Sequence, residues 1–119
     1  MIHIDYLDRR PIYEQVVDKI KELILLGVLE ADSQLPSVRA LAVELSINPN
    51  TIQRAYTELE RQGVIYCVKG RGNFVAATKP LREQYRDEVW KKLESLVLEA
   101  KKAEISKAEM QEKLELLYS

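Results

Sequence analysis

LPSVRALAVELSINPNTIQRAYTELERQGVIYCVKGRGNFVAA, Leu35–Ala77, decides the fold. Pro36 closes a loop, and Ser37 is placed to cap a helix by accepting a backbone N–H of its first turn. Val38, Leu41, Ala42 and Leu45 then make one apolar face. Ser46 to Asn48 reads as a tight turn. Asn48 is a second N-cap, and Pro49 sits at the first helical position, where its missing N–H costs nothing. Ile52, Ala55, Tyr56 and Leu59 follow at i, i+3, i+4 and i+7 and should face inward. Gly63 ends that helix. Val64–Val68 and Asn73–Ala77 read as two strands around Lys69-Gly70-Arg71-Gly72, a hairpin signal in which the glycines are free to adopt positive φ. Helix, turn, helix and hairpin in this order make a helix-turn-helix with a wing.

The flanks extend this core in both directions. Residues 1–10 read as extended, with Ile2 and Ile4 alternating with polar neighbours. Pro11 suits the first turn of a helix whose stripe is Tyr13, Val16, Val17, Ile20, Leu23 and Ile24, with Gly27 as its stop. Residues 28–36 read as a loop. Past Lys79-Pro80 the character changes. Residues 81–103 are strongly helical, with Tyr85, Val89, Leu93, Leu96 and Ala100 on one stripe that Trp90 and Val97 widen. Ser106 with Glu109 three residues on is a capping box that opens a last helix lined by Met110, Leu114 and Leu117. The expected fold is mainly α with a small β-hairpin: a winged helix-turn-helix over residues 1–78, then a two-helix tail over 79–119.

Composition describes an ordinary globular chain. Of 119 residues, 46% are hydrophobic and 31% charged, which excludes a disordered polymer. The net charge of −1 is not that of a strongly basic nucleic-acid binder, but the charge is unevenly placed. Residues 36–78 hold five bases and three acids (+2), residues 1–35 four and seven (−3), and residues 79–119 nine of each. The positive field lies over the helix-turn-helix, and association depends on that local field. The single cysteine, Cys67, allows no intrachain disulfide and suits a reducing, cytoplasmic setting; in an apolar strand it reads as a small buried hydrophobe, the alternative being a redox sensor. The first ten residues lack a signal-peptide pattern. The apolar runs are far shorter than the ~18 residues of a membrane span.

The chemistry concentrates on residues 49–61. With the apolar stripe turned inward, the outward face of the first two turns is Asn50, Gln53, Arg54 and Thr57, beside Pro49. No acid occurs from Ser46 to Thr57. A major groove admits a helix; Asn or Gln can pair bidentately with adenine, and Arg with guanine or phosphate. The start of this helix also offers a partial positive charge to a phosphate. Arg39, two residues past the Ser37 cap, would point at phosphate or a base edge, the alternative being a surface Arg that bridges Glu44 or a neighbour. Lys69 and Arg71 place two cations at a glycine-turned tip able to approach the DNA backbone or a minor groove, the alternative being a solubilising turn. The expected partner is double-stranded DNA; the alternative is a winged-helix module that binds another protein without DNA readout.

From Gly27 to Ala77 the sequence resembles the winged helix of the GntR family of bacterial transcription regulators. The motifs that carry the likeness are LPSVRALA, NPNTIQRAYTELERQG and GRGNFV, and PIYEQVVDKIKELI fits as well. The short helical tail, the LPSVR variant and the NPNT helix start together resemble the YtrA subfamily. The resemblance implies that Arg39, Asn50, Thr51, Gln53 and Gly70 contact DNA, and that the protein is a repressor whose targets include transporter operons. Together with Ser37, Asn48, Pro49, Arg54, Thr57, Lys69, Arg71 and Gly72 they form the candidate DNA surface. Many members outside this subfamily carry Arg where Pro49 and Gln53 stand, so their operator preferences do not transfer.

The tail is the second functional unit. Two amphipathic helices of this size cannot bury their apolar faces well on each other. Tyr85, Val89, Trp90, Leu93, Leu96, Val97, Leu114 and Leu117 need another surface. The same tail of a second chain would supply it as a two-fold dimer, which expects an inverted-repeat operator; the alternative is a tail folded back on its own winged helix. Some relatives fuse this winged helix to an aminotransferase-like domain, but 41 residues after Thr78 are too few for one. No metal-spaced cluster or nucleophile–base pair is visible, so no enzyme, metal or cofactor is expected. An unidentified small-molecule effector is a further candidate partner, for which Tyr85, Trp90 and Tyr118 are available; the same aromatics are more simply core residues.

Overall fold

The structure, a computed structural model, describes residues 2–119. Its elements run α1 (Ile12–Leu25), α2 (Val38–Leu45), α3 (Pro49–Arg61), β1 (Ile65–Val68), β2 (Gly72–Val75), α4 (Lys79–Lys102) and α5 (Lys107–Tyr118). The chain divides into two compact units, one up to Arg82 and one from Glu83 to Ser119.

In the first unit the caps form as the local sequence dictates. Ser37 Oγ accepts from the Ala40 N–H at 3.0 Å, and Asn48 Oδ1 accepts from the Asn50 N–H at 2.8 Å. Between them Ser46 turns the chain at φ 55, in the left-handed region. Helix α3 packs on both α1 and α2 and against β1. Its stripe of Ile52, Ala55, Tyr56 and Leu59 is fully sealed, among Val16, Val17, Ile20 and Ile24 of α1, Leu41 and Ala42 of α2, and Ile65 and Val75 of the hairpin. Truncating a core residue such as Leu59 to Ala would cost about 2–5 kcal/mol through lost transfer energy and the cavity left behind. Tyr56 completes the lock between the two helices: its hydroxyl donates to the Pro36 carbonyl at 2.7 Å.

Several expectations need correction. Residues 28–36 are not simply a loop. Gln34 bridges to Phe74, the Leu35 N–H donates to Asn73 O, and the Val75 N–H donates to Ser33 O, so this segment flanks β2 on the side away from β1. Such pairing is non-local, and no pattern within the segment announces it. Residues 2–10 form no strand; Met1 lies outside the described residues. Ile2 and Ile4 instead rest on the core, and the buried Gln15 amide holds the segment, accepting from the Asp5 N–H at 2.8 Å and donating to its carbonyl at 3.0 Å. Cys67 is exposed. It pairs with Asn73 in the outer half of a two-stranded hairpin, where only the inner end, Ile65 and Val75, reaches the core. The strands are also shorter than expected, because Val64 and Ala76 close the hairpin base with one hydrogen bond outside the ladder.

Helix α4 starts at Lys79, two residues earlier than expected, with Pro80 in its first turn. Arg82 fastens that first turn, donating to the carbonyls of Leu25 at 2.9 Å and Ile24 at 3.3 Å at the end of α1, where a cation is favoured.

In the second unit Ser106 caps α5 by accepting from the Glu109 N–H at 3.1 Å, half of the expected capping box. Ala100 is buried, and Leu93 and Met110 are half-buried. The other tail side chains of interest are exposed: Tyr85, Val89, Trp90, Leu96, Val97, Leu114, Leu117 and Tyr118, with Trp90 at 56% and Leu117 at 69%. The tail aromatics, expected more simply as core residues, are not enclosed within this unit, because neither tail helix presents enough apolar surface to cover them. Among the described residues no helix is long and apolar enough to cross a membrane.

Candidate nucleic-acid interface

Sealing one side of α3 fixes what the other side offers. Asn48, Pro49, Asn50, Gln53, Arg54 and Thr57 are exposed, and Thr51 is half-buried. The first turn carries no acid. Gln53 Nε2 donates to Thr57 Oγ1 at 3.3 Å, a long bond at an exposed site. It costs little to break, and the amide then presents the paired acceptor and donor that match an adenine edge.

The acids of α3, Glu58 and Glu60, are gathered at its far end, and Glu58 is ion-paired there. Glu58 Oε2 accepts from Arg61 Nε at 2.9 Å, and Glu58 Oε1 accepts from Gln62 Nε2 at 2.8 Å. The Arg61 hydrogen bonds first, then that from Gln62, hold the Glu58 carboxyl down at about 2. The N-terminal half of α3 is left neutral or cationic.

Three other cations surround this face in sequence. Arg39, Lys69 and Arg71 are exposed, and among the described residues none has a side-chain hydrogen bond or ion pair. The expected alternative for Arg39, a bridge to Glu44, is not formed. Ser37 is exposed, with its oxygen engaged at the start of α2 and its hydroxyl proton free to donate.

The wing tip is built rather than loose. Gly70 turns at φ +80 and Gly72 at φ +122. Gln34 Nε2 donates to the Arg71 carbonyl at 2.7 Å, and a Cβ on Gly72 would meet that nitrogen at 2.9 Å. Below the tip Tyr66 and Phe74 stack at 5.6 Å, with the Tyr66 hydroxyl donating to Asp32 at 2.8 Å. Gln34 is a supporting residue that sequence reading passed over, since nothing in its neighbourhood marks a contact 37 positions away.

Tyr13 is the other residue passed over. Its place in the α1 stripe reads as core, yet its half-buried ring carries the guanidinium of Arg54 at 3.9 Å from the ring centroid. Arg54 is thus not a free surface cation but a held one. Around it lies an open cleft of about 440 Å³ lined by Pro11, Ile12, Tyr13, Asn50, Thr51 and Arg54. Among the described residues no cluster of three or more His, Cys, Asp or Glu side chains could hold a metal ion.

Comparison with known proteins agrees with this geometry. Residues 12–75 match the family model for bacterial regulatory proteins of the gntR family. The chain is 41% identical over 102 residues to the HTH-type transcriptional repressor YtrA of Bacillus subtilis, covering 84% of this chain and 78% of that protein. A transcriptional regulator from Oenococcus oeni superposes with a TM-score of 0.84 at 32% identity, with all of both chains covered. The DNA-binding domain of AraR, solved in complex with operator ORR3, matches with a TM-score of 0.52 at 34% identity, over 54% of this chain and 77% of that one.

Proposed function

The chain belongs to the gntR family of bacterial regulatory proteins, which makes it a transcription regulator with a DNA-binding helix-turn-helix and not an enzyme, and we propose that it acts in the cytoplasm as a homodimeric repressor on an inverted-repeat operator. Residues 1–78 bind DNA in this reading, and residues 79–119 dimerise. Asn50 and Gln53 read base edges from the major groove, with Thr51 and Thr57 beside them. Ser37, Arg39, Arg54 and the wing residues Lys69, Gly70, Arg71 and Gly72 hold the backbone and set the register. Asn48 and Pro49 shape the start of the reading helix.

The observation that carries the proposal is the acid-free, exposed first two turns of α3 over a fully buried opposite side. The exposed apolar residues of α4 and α5 support the dimer, because a surface of Val89, Trp90, Leu96 and Leu117 is best covered by its own two-fold copy. A two-fold dimer sets two reading helices about one DNA turn apart, ~34 Å. The repressor sense follows the name of the relative YtrA. Tyr85, Trp90 and Tyr118 are the side chains on offer to a small-molecule effector.

A gel shift against fragmented genomic DNA of the source organism tests the reading. Retention of a few discrete fragments is expected. Equal retention of all fragments, or of none, contradicts it.

A further inference from the structure

Arg54 is the only cation between Pro49 and Thr57. Its guanidinium lies on the Tyr13 ring, and among the described residues it has no carboxylate partner. Arg61, two turns further on, is held differently, by the Glu58 carboxylate. The two holders differ in what they leave for an anion. A carboxylate neutralises the guanidinium it orients. An aromatic face orients the guanidinium through its quadrupole and leaves the charge and the N–H edges available. The surroundings match: the cleft beside the pair is lined by Pro11, Ile12, Asn50 and Thr51, with no acid in its wall. Glu14 is the nearest acid along α1, and it meets Tyr13 at the hydroxyl, 3.4 Å away, not at the ring face.

Successive residues of a helix are rotated by about 100°. Arg54 therefore points toward α1 while Gln53 points away from it, and the two do not share one task. We infer that Tyr13 is a positioning residue for DNA: its ring presents Arg54, already oriented and not neutralised, to one backbone phosphate at the edge of the groove entered by α3. The inference rests on the proposed DNA-binding function and adds a residue and a division of labour to it. Arg54 supplies affinity and register, and Gln53 supplies sequence.

The test uses the full chain and two duplexes of equal length, one carrying the selected site and one scrambled. Tyr13→Leu should weaken binding to both by about threefold, the size of an exposed cation–π contact. Tyr13→Phe, which keeps the ring, should bind as the parent does. In an Arg54→Ala background Tyr13→Leu should cost nothing further. Arg54→Ala itself should lower the slope of log affinity against log salt by about one. An equal cost of Tyr13→Leu with and without Arg54 overturns the inference. So does an Arg54→Ala loss confined to the selected site with an unchanged slope, which would make Arg54 a base reader. A second readout does not depend on the Leu variant folding: the ring-current-shifted Arg54 side-chain resonances should persist in the DNA complex, and their return to ordinary positions on binding overturns the inference as well. If the parent chain binds neither duplex, the proposed function fails along with it. Normal parental binding with an additive cycle removes the role of Tyr13 alone.

Discussion

Gln34 donates its side-chain amide to the Arg71 carbonyl at 2.7 Å, so a residue upstream of α2 fixes the tip of the wing 37 positions later. The same nitrogen stands 2.9 Å from where a Cβ on Gly72 would be, at a φ of +122. Gly72→Ala therefore meets both a collision and a strained backbone and should cost about 1–3 kcal/mol. Gln34→Ala in the same chain removes the collision but not the strain, so the double variant should recover part of the loss. Denaturant midpoints and amide exchange across Tyr66–Asn73 measure this. Full stability of Gly72→Ala would contradict it.

Tyr56 offers a pH test of the core. Burial, reinforced by the Glu44 carboxylate, pushes its hydroxyl up to about 12 from 10.0. A raised phenol favours the native state while protonated. Its contribution is complete below pH 10 and falls as pH rises toward 12. Tyr56→Phe should lose about 1 kcal/mol at neutral pH, because the Pro36 carbonyl loses its donor. The gap between the two proteins should then narrow between pH 10 and 12. A gap that widens with pH in chemical denaturation would refute the assignment.

Among the described residues the Lys69 and Arg71 side chains have no hydrogen bond or ion pair, so their charge is available to DNA. Replacing either with Ala should flatten the salt dependence of binding by about one unit. The losses should be alike on operator and random DNA, since phosphate contacts carry no sequence information. An unchanged slope in a salt titration would remove the wing from the interface.

Leu96 and Trp90 lie exposed on α4, outside any core of the second unit. If the tail dimerises as proposed, Leu96→Asp should leave the helical content and melting of the winged helix intact and shift the sedimenting species from dimer to monomer. Operator affinity should drop by on the order of a hundredfold, because the second half-site is no longer delivered by the first. A variant that stays dimeric and binds normally would exclude this face from dimerisation.

The parts of the fold legible in the sequence were those specified locally. Ser37, Asn48 and Pro49 announced two helix starts, and the spacing of Ile52, Ala55, Tyr56 and Leu59 fixed the inward side of α3. Its outward side followed by elimination. The parts that escaped were set by contacts between distant positions. Gln34 against the wing and Gln15 under Asp5 each satisfy backbone groups that no local pattern marks. Tyr13 was misleading for a different reason: an amphipathic ring satisfies a core stripe and a cation at once. Cys67 sits in an apolar run, but a two-stranded hairpin has too little body to bury its outer half.

Gln53 tests most directly whether the α3 face reads bases. The DNA retained from a random pool by the parent chain and by Gln53→Ala should be sequenced side by side. The parent should yield a two-fold motif with half-sites about one turn apart, and Gln53→Ala should lose preference at one symmetric pair of positions, at a cost of about 1–3 kcal/mol on the parental site and little on random DNA. Identical motifs from the two proteins, or no motif from the parent, would contradict the claim.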